Sequence, residues 1–125
     1  MKLDVLLEKF TSLKLERPPE LWEARTDGKS LVTLLGKMIS ATAADTLNAS
    51  NVVVEPSADE SPIPEGEFVA LTVSGSDGSE PDGAWPGKSK LLAGLEAELV
   101  AAGARYAYVR SIRGKGSITV FMDRQ

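Results

Sequence analysis

The chain has 125 residues, with hydrophobic and charged fractions of 42% and 26% and a formal net charge of −4. This size and composition are typical of a single globular domain, so we expect residues 1–125 to form one α+β domain. The chain contains no histidine and no cysteine. Their absence excludes a histidine general base, a thiolate nucleophile, disulfides and the commonest transition-metal ligands.

The charge is unevenly distributed along the chain. Between Asp45 and Ala84 there are nine acidic residues and no lysine or arginine, whereas seven basic and three acidic residues follow from Trp85 onwards. An acidic chain is a poor nucleic-acid binder, so a nucleic-acid partner is not expected. The sequence also has no apolar run of about 18 residues and no uninterrupted apolar N-terminal segment. We therefore expect a cytoplasmic protein without a membrane partner.

Three helices are predicted from the spacing of apolar residues. Residues 2–15 have apolar side chains at helical spacing and form an amphipathic helix that ends before two prolines. A leucine-rich stripe predicts a second helix over 28–46, with Asp27 or Thr26 as its N-cap. A third helix is predicted over 87–103, with Gly103 as its C-cap.

Four strands are predicted from β-branched and alternating apolar residues. They span 51–55 and 67–74, and then 105–112 and 117–122, which form a hairpin around a glycine-containing turn. Two long loops, 56–66 and 75–87, connect the elements. The order α-α-β-β-α-β-β predicts a mixed or mostly antiparallel four-stranded sheet with helices packed mainly on one face. This order is similar to that of small acidic chaperone-like and immunity-like domains, a likeness that fixes no function.

The motifs that would indicate chemistry are incomplete. Gly83 and Gly87 are separated by three residues, whereas a phosphate-binding loop requires four. The spacing after Asp77 does not match a calcium-binding loop. Tyr106, Tyr108 and Arg110 resemble a base-stacking surface, but the signatures of an RNA-recognition module are missing. We therefore predict no catalytic residue, no metal and no cofactor.

The first functional hypothesis is a non-enzymatic protein-binding module: an adaptor, chaperone-like or immunity-like domain that forms a homodimer or binds another, basic protein. Its candidate contact residues are two tryptophans and a nearby group of acidic side chains, namely Trp85, Trp22, Asp77, Glu80 and Asp82. A tryptophan between acidic residues fits an interface anchor. The alternative is that Trp85 packs internally at the start of the third helix.

The second hypothesis is a domain that binds a small molecule or an anion. Gly87, Lys88 and Ser89 stand at the predicted start of the third helix, where backbone N–H groups and the helix dipole favour negative charge. A carboxylate-dependent enzyme is a third hypothesis, and it requires a deep pocket with at least two acidic side chains.

Overall fold

The structure, a computed structural model, describes residues 1–56 and 63–125. These ranges contain four helices and six strands, namely α1 (Asp4–Leu7), β1 (Lys14–Glu16), α2 (Gly28–Thr42), β2 (Ala44–Val54), β3 (Gly66–Gly75), β4 (Gly83–Trp85), α3 (Lys90–Gly94), α4 (Glu96–Ala101), β5 (Ala104–Ile112) and β6 (Lys115–Asp123). The fold is α+β, and its six strands form one sheet in the order β1-β2-β3-β6-β5-β4. Strands β1 and β2 are parallel and the other neighbours are antiparallel, so the sheet is mixed.

The predicted four-stranded sheet is wrong, because two short strands extend it at its edges. Strand β1 pairs with residues 46–48 of β2. Its first two residues, Lys14 and Leu15, fall within the helix predicted over 2–15. Strand β4 pairs with residues 107–109 of β5, within a segment predicted to be a loop. Each edge strand has three residues. A period-two pattern cannot be recognised over so short a length.

All three predicted helices differ from the structure in extent, and the first and third differ most. The helix predicted over 2–15 is reduced to α1, and a turn follows in which the Leu13 amide donates to the Phe10 carbonyl over 3.1 Å. The poor helix formers Thr11 and Ser12 lie in that turn. The helix predicted over 87–103 is divided into α3 and α4, because the backbone at Leu95 is not helical (φ −104°, ψ 10°).

Helix α2 is the one helix longer than six residues in the described ranges. The Asp27 carboxylate accepts a hydrogen bond from the Ser30 amide at 3.0 Å and so caps its N-terminus. Four fully buried apolar side chains, Leu31, Leu34, Leu35 and Met38, line one face. The helix ends at Thr42 rather than at 46, because Ala43 adopts a left-handed conformation (φ 48°) and β2 begins at the next residue.

The strands are longer than predicted. Strand β2 begins at Ala44 rather than at 51 and pairs with β3 along almost its whole length. The C-terminal hairpin comprises 104–112 and 115–123, joined by Arg113 (φ 51°) and Gly114 (φ 78°). Positive φ at both central positions matches the twist of the flanking strands. Of the predicted loop 56–66, residues 57–62 lie outside the described ranges.

The two faces of the sheet differ in what they contact. On the helix face, aliphatic side chains of β3 and β6 pack with those of α1, α2, α3 and α4: among them are Val69, Leu71, Val73, Ile118 and Val120. The other side is the aromatic face, where Phe68, Tyr106 and Phe121 form a second buried cluster. The main core therefore lies between the sheet and the helices. No helix in the described ranges has the length and apolar character needed to cross a membrane.

Candidate functional site

The loop between β3 and β4 carries the three predicted acidic contact residues, and hydrogen bonds attach it to β5. The hydroxyl and amide of Ser79 both donate to the Asp77 carboxylate and lower its pKa. The Asp82 carboxylate accepts from the Ser111 amide at 2.7 Å. The carbonyl of Glu80 accepts from the Ser111 hydroxyl. The acidic loop is therefore fixed at one end of β5, with two of its carboxylates already hydrogen-bonded.

The two tryptophans do not form one surface with these acids. Trp85 pairs with Ala107 in the sheet, and its half-buried ring packs against the main core. The Trp22 amide donates to the Asn51 side chain of β2 at 2.9 Å, and the Arg124 guanidinium lies 4.0 Å from the ring centroid of Trp22. Because β2 and β4 lie near opposite edges of the sheet, only Trp85 accompanies the acidic loop.

The predicted anion site receives no support from the geometry. The Ser89 hydroxyl accepts a hydrogen bond from the Leu92 amide at 3.2 Å and so caps α3, and this serine is buried. Gly87 and Lys88 are exposed and precede the helix. Helix α3 has five residues, so few aligned peptide dipoles are available to attract an anion. The site remains a prediction.

The predicted stacking surface is only partly at the surface. Tyr106 is buried, with its ring centroid 5.9 Å from that of Phe121, and burial raises the pKa of its hydroxyl. Tyr108 is half-buried, and the Arg110 guanidinium lies 5.6 Å from its ring centroid. These aromatic residues therefore serve mainly to form the buried cluster on the aromatic face. Within residues 1–56 and 63–125, no group of three or more acidic side chains is placed to hold a metal ion.

The structure reveals a groove that the sequence did not indicate, between α1 and the first turns of α2. We call it the α1–α2 groove; its volume is about 490 Å³ and it is lined by Met1, Lys2, Val5, Leu6, Lys9, Gly28, Lys29, Val32 and Thr33. The side chain of Met1 occupies the space beside Gly28, because a Cβ there would lie 2.6 Å from the Met1 Cε. Val5 is 72% exposed. The apolar side chains of the lining, those of Met1, Val5, Leu6 and Val32, form what we call the floor of the groove, and it is open to solvent at Val5.

The charged side chains that line this groove are all of one sign. Lys2, Lys9 and Lys29 line it, and no acidic residue does. In the described part of the chain, none of these three ammonium groups forms an ion pair. The acidic residues of this region have other partners: Arg17 binds both Asp4 and Glu8. A positive, apolar groove thus exists in a protein whose net charge is negative.

Sequence reasoning missed the groove because it depends on tertiary packing. The apolar spacing over 2–15 placed Lys2 and Lys9 on the polar side of one long helix, where lysines are ordinarily solvated. Lys29 comes much later in the sequence and approaches them only when α1 packs against α2. One signal was available: Val5 is apolar but lies outside the predicted apolar stripe of that helix.

The sequence matches no family model and no curated protein. Among solved structures, the histidine kinase AdeS of Acinetobacter baumannii is similar, with a TM-score of 0.47 and 14% sequence identity. The similarity covers 98% of this chain and 61% of that chain. This chain therefore spans less than two thirds of the length of that structure, and at this TM-score we draw nothing from the likeness about fold or activity.

Proposed function

We propose that this chain is a non-enzymatic protein-binding module and that its docking surface is the α1–α2 groove. The observation behind the proposal is the coincidence of an apolar floor, a volume of about 490 Å³ and three unpaired lysines at one place in the described structure. Exposed apolar surface rimmed by polar groups is typical of protein interaction sites. The absence of histidine and cysteine from the sequence supports a non-enzymatic role, because these residues supply the commonest general base and the thiolate nucleophile.

The groove favours a different partner from the one predicted from sequence. The acidic loop with Trp85 led to the expectation of a basic partner, and that expectation remains a separate prediction. The lysines of the groove instead attract an acidic partner, because opposite charges across an interface speed association and exclude like-charged competitors. A homodimer also remains a prediction. We also propose a cytoplasmic location, since a chain without cysteine suits a reducing compartment.

The test is to place a charge in the floor of the groove. The full chain is immobilised and used to capture proteins from a lysate of the native organism, and each captured protein is then purified and titrated by calorimetry. Burying a carboxylate against apolar partner surface is unfavourable, so Val5→Asp should weaken binding by at least about tenfold. Val100→Asp is the matched control, because Val100 is 62% exposed and lies on α4, outside the groove.

Both valines are exposed, so neither substitution should change the free energy of unfolding by more than about 0.5 kcal/mol. Thermal unfolding of the two variants checks that the fold is intact. A partner that binds Val5→Asp and the unsubstituted chain equally well would show that the groove is not the docking surface. Equal weakening by both substitutions would contradict the proposal as well.

A further inference from the structure

The charges and shape of the α1–α2 groove also specify the chemistry of its occupant. Resting on the function proposed above, we infer that the groove binds an amphipathic helix that carries carboxylates on both flanks of its apolar face. The inference depends on where the lysines stand. Lys2 and Lys9 belong to the segment of α1, whereas Lys29 belongs to the first turn of α2. The positive charges therefore lie on both walls.

The groove is positive at its surface because its neighbouring carboxylates have other partners. Asp4 and Glu8 of the α1 segment both bind Arg17. The Asp27 carboxylate accepts from the hydroxyl and amide of Ser30; these bonds, and to a smaller extent the charge of Lys29, lower its pKa. These three carboxylates therefore make hydrogen bonds or ion pairs of their own. An occupant with its own carboxylates supplies the ion pairs that Lys2, Lys9 and Lys29 do not form within the described residues.

The floor determines the rest of the occupant. Met1, Val5, Leu6 and Val32 supply the apolar part of the lining that the lysines of both helices share. A helix with apolar residues at i, i+3, i+4 and i+7 presents one apolar ridge, with polar residues directly on each side of it. The apolar ridge of such a helix can contact the floor of the groove, and its flanking carboxylates can then reach the lysines of α2 and of the α1 segment. An extended peptide alternates its side chains between opposite faces and offers no such paired flanks.

An anionic bilayer is the competing occupant, since it also combines apolar and negative groups. The shape of the site favours the helix. The apolar atoms here line a concave groove, whereas a protein that enters a bilayer presents a convex apolar surface to it.

The experiment uses two hydrocarbon-stapled helical peptides of about 16 residues, a length at which a helix can persist in water. Both have the same leucine face; one carries glutamates on its flanks and the other carries lysines. Fluorescence anisotropy measures their binding to the full chain at about 50 mM and about 300 mM salt. We expect the glutamate peptide to bind at least about tenfold more tightly than the lysine peptide at low salt, and to weaken at high salt.

A triple variant, Lys2→Gln with Lys9→Gln and Lys29→Gln, tests the walls directly. Its matched control replaces three other exposed lysines, Lys14, Lys88 and Lys90, by glutamine and so removes the same charge. The groove variant should lose about tenfold in affinity for the glutamate peptide, and the control less than about twofold. Equal binding of the two peptides, or equal effects of the two triple variants, would overturn the inference.

The outcomes separate this inference from the proposed function. If neither peptide binds, yet a captured protein still depends on Val5, the inferred helix is wrong and the protein-binding function stands. If binding of the captured protein does not depend on Val5, the proposed function itself fails. Co-sedimentation with anionic vesicles that is lost in the groove variant but retained in the control would assign the lysines to a membrane surface, and would overturn both.

Discussion

The two faces of the sheet obtain their stability in different ways, and strand β3 shows the difference within one segment. Its residues Val69, Leu71 and Val73 lie on the helix face and are completely buried. The alternating residues Phe68 and Thr72 face the other way, where aromatic rings and a hydroxyl pair take the place of helices. The stability of the helix face therefore depends on how much apolar area the helices bury. The stability of the aromatic face depends on the geometry of a few specific ring contacts and one hydroxyl pair.

The largest effect is expected for Leu71→Ala, at the centre of the helix face. The side chain is fully buried in the main core, and its removal leaves a cavity that the packed α2 cannot fill without moving. We expect a loss of about 2–5 kcal/mol in the free energy of unfolding. Urea denaturation, followed by far-UV circular dichroism, measures it.

The matched control for this substitution is Val53→Ala. Val53 is 57% exposed on β2, so its truncation should change stability by no more than about 0.5 kcal/mol. Similar losses in the two variants would show that burial against α2 does not determine the stability of this face.

A smaller effect is expected for Phe121→Leu on the aromatic face. The ring of Phe121 lies at centroid distances of 6.1, 5.9 and 6.1 Å from those of Phe68, Tyr106 and Tyr108. Leucine retains much of the apolar area but loses the edge and tilted ring contacts. An aromatic pair contributes about 0.5–1.5 kcal/mol, and the three pairs share one ring and are not additive, so we expect a total loss of about 1–2 kcal/mol. The same urea titration reports the loss, and near-UV circular dichroism reports the change in ring packing. An unchanged near-UV spectrum would indicate that the rings do not pack as described.

Sequence patterns predicted most accurately the segments in which local and tertiary signals agree. The stripe of α2 and its Asp27 cap, and the alternation in β3 and the hairpin, lie within a few residues of their predicted bounds. In each of these segments the apolar period continues long enough to distinguish helix from strand.

The failures occur where tertiary pairing overrides a local pattern. Leu13 continues the helical spacing of the N-terminal segment, yet residues 14–16 pair with β2 instead. Likewise, the leucines of 87–103 fit a single helix, but the backbone at Leu95 interrupts it. The α1–α2 groove is still less accessible to sequence reasoning, because its lysines come together only through the packing of two helices.

A smaller effect again is expected from the hydroxyl pair on the aromatic face. The hydroxyls of Thr72 and Thr119 lie 2.8 Å apart, and Thr119 is buried. Thr72→Val keeps the shape of the side chain but leaves the Thr119 hydroxyl without this partner, which should cost about 1 kcal/mol.

Replacing both threonines by valine should recover most of that loss, because the unpaired buried hydroxyl is then removed as well. A double-mutant cycle in urea measures the coupling between the two positions. A double variant whose loss equals the sum of the two single losses would show that the hydroxyls do not interact.

The smallest effect is a dependence of stability on pH in the alkaline range, caused by a tyrosine of the aromatic face. Burial, with a further contribution from the neighbouring Tyr108, raises the pKa of Tyr106 above its ordinary value of 10.0. In the unfolded chain this hydroxyl titrates near its ordinary pKa, so the folded state binds the proton more tightly than the unfolded state does. The stabilising contribution is thus fully present below about pH 10 and is lost as the pH rises through the raised pKa.

Phenylalanine cannot ionise, so Tyr106→Phe should reduce the decline in unfolding free energy between about pH 8 and about pH 10.5. The carboxylates, lysines and arginines are the same in both chains, so the difference between the two chains reports the removal of the Tyr106 hydroxyl, including its interaction with Tyr108. Urea titrations of both chains at the two pH values provide the measurement. An identical decline would mean that water reaches the Tyr106 hydroxyl in the folded protein, and that the aromatic face is wetter than its burial indicates. Leu71→Ala provides the contrast within the same sheet, because it removes no titratable group and should shift stability equally at both pH values.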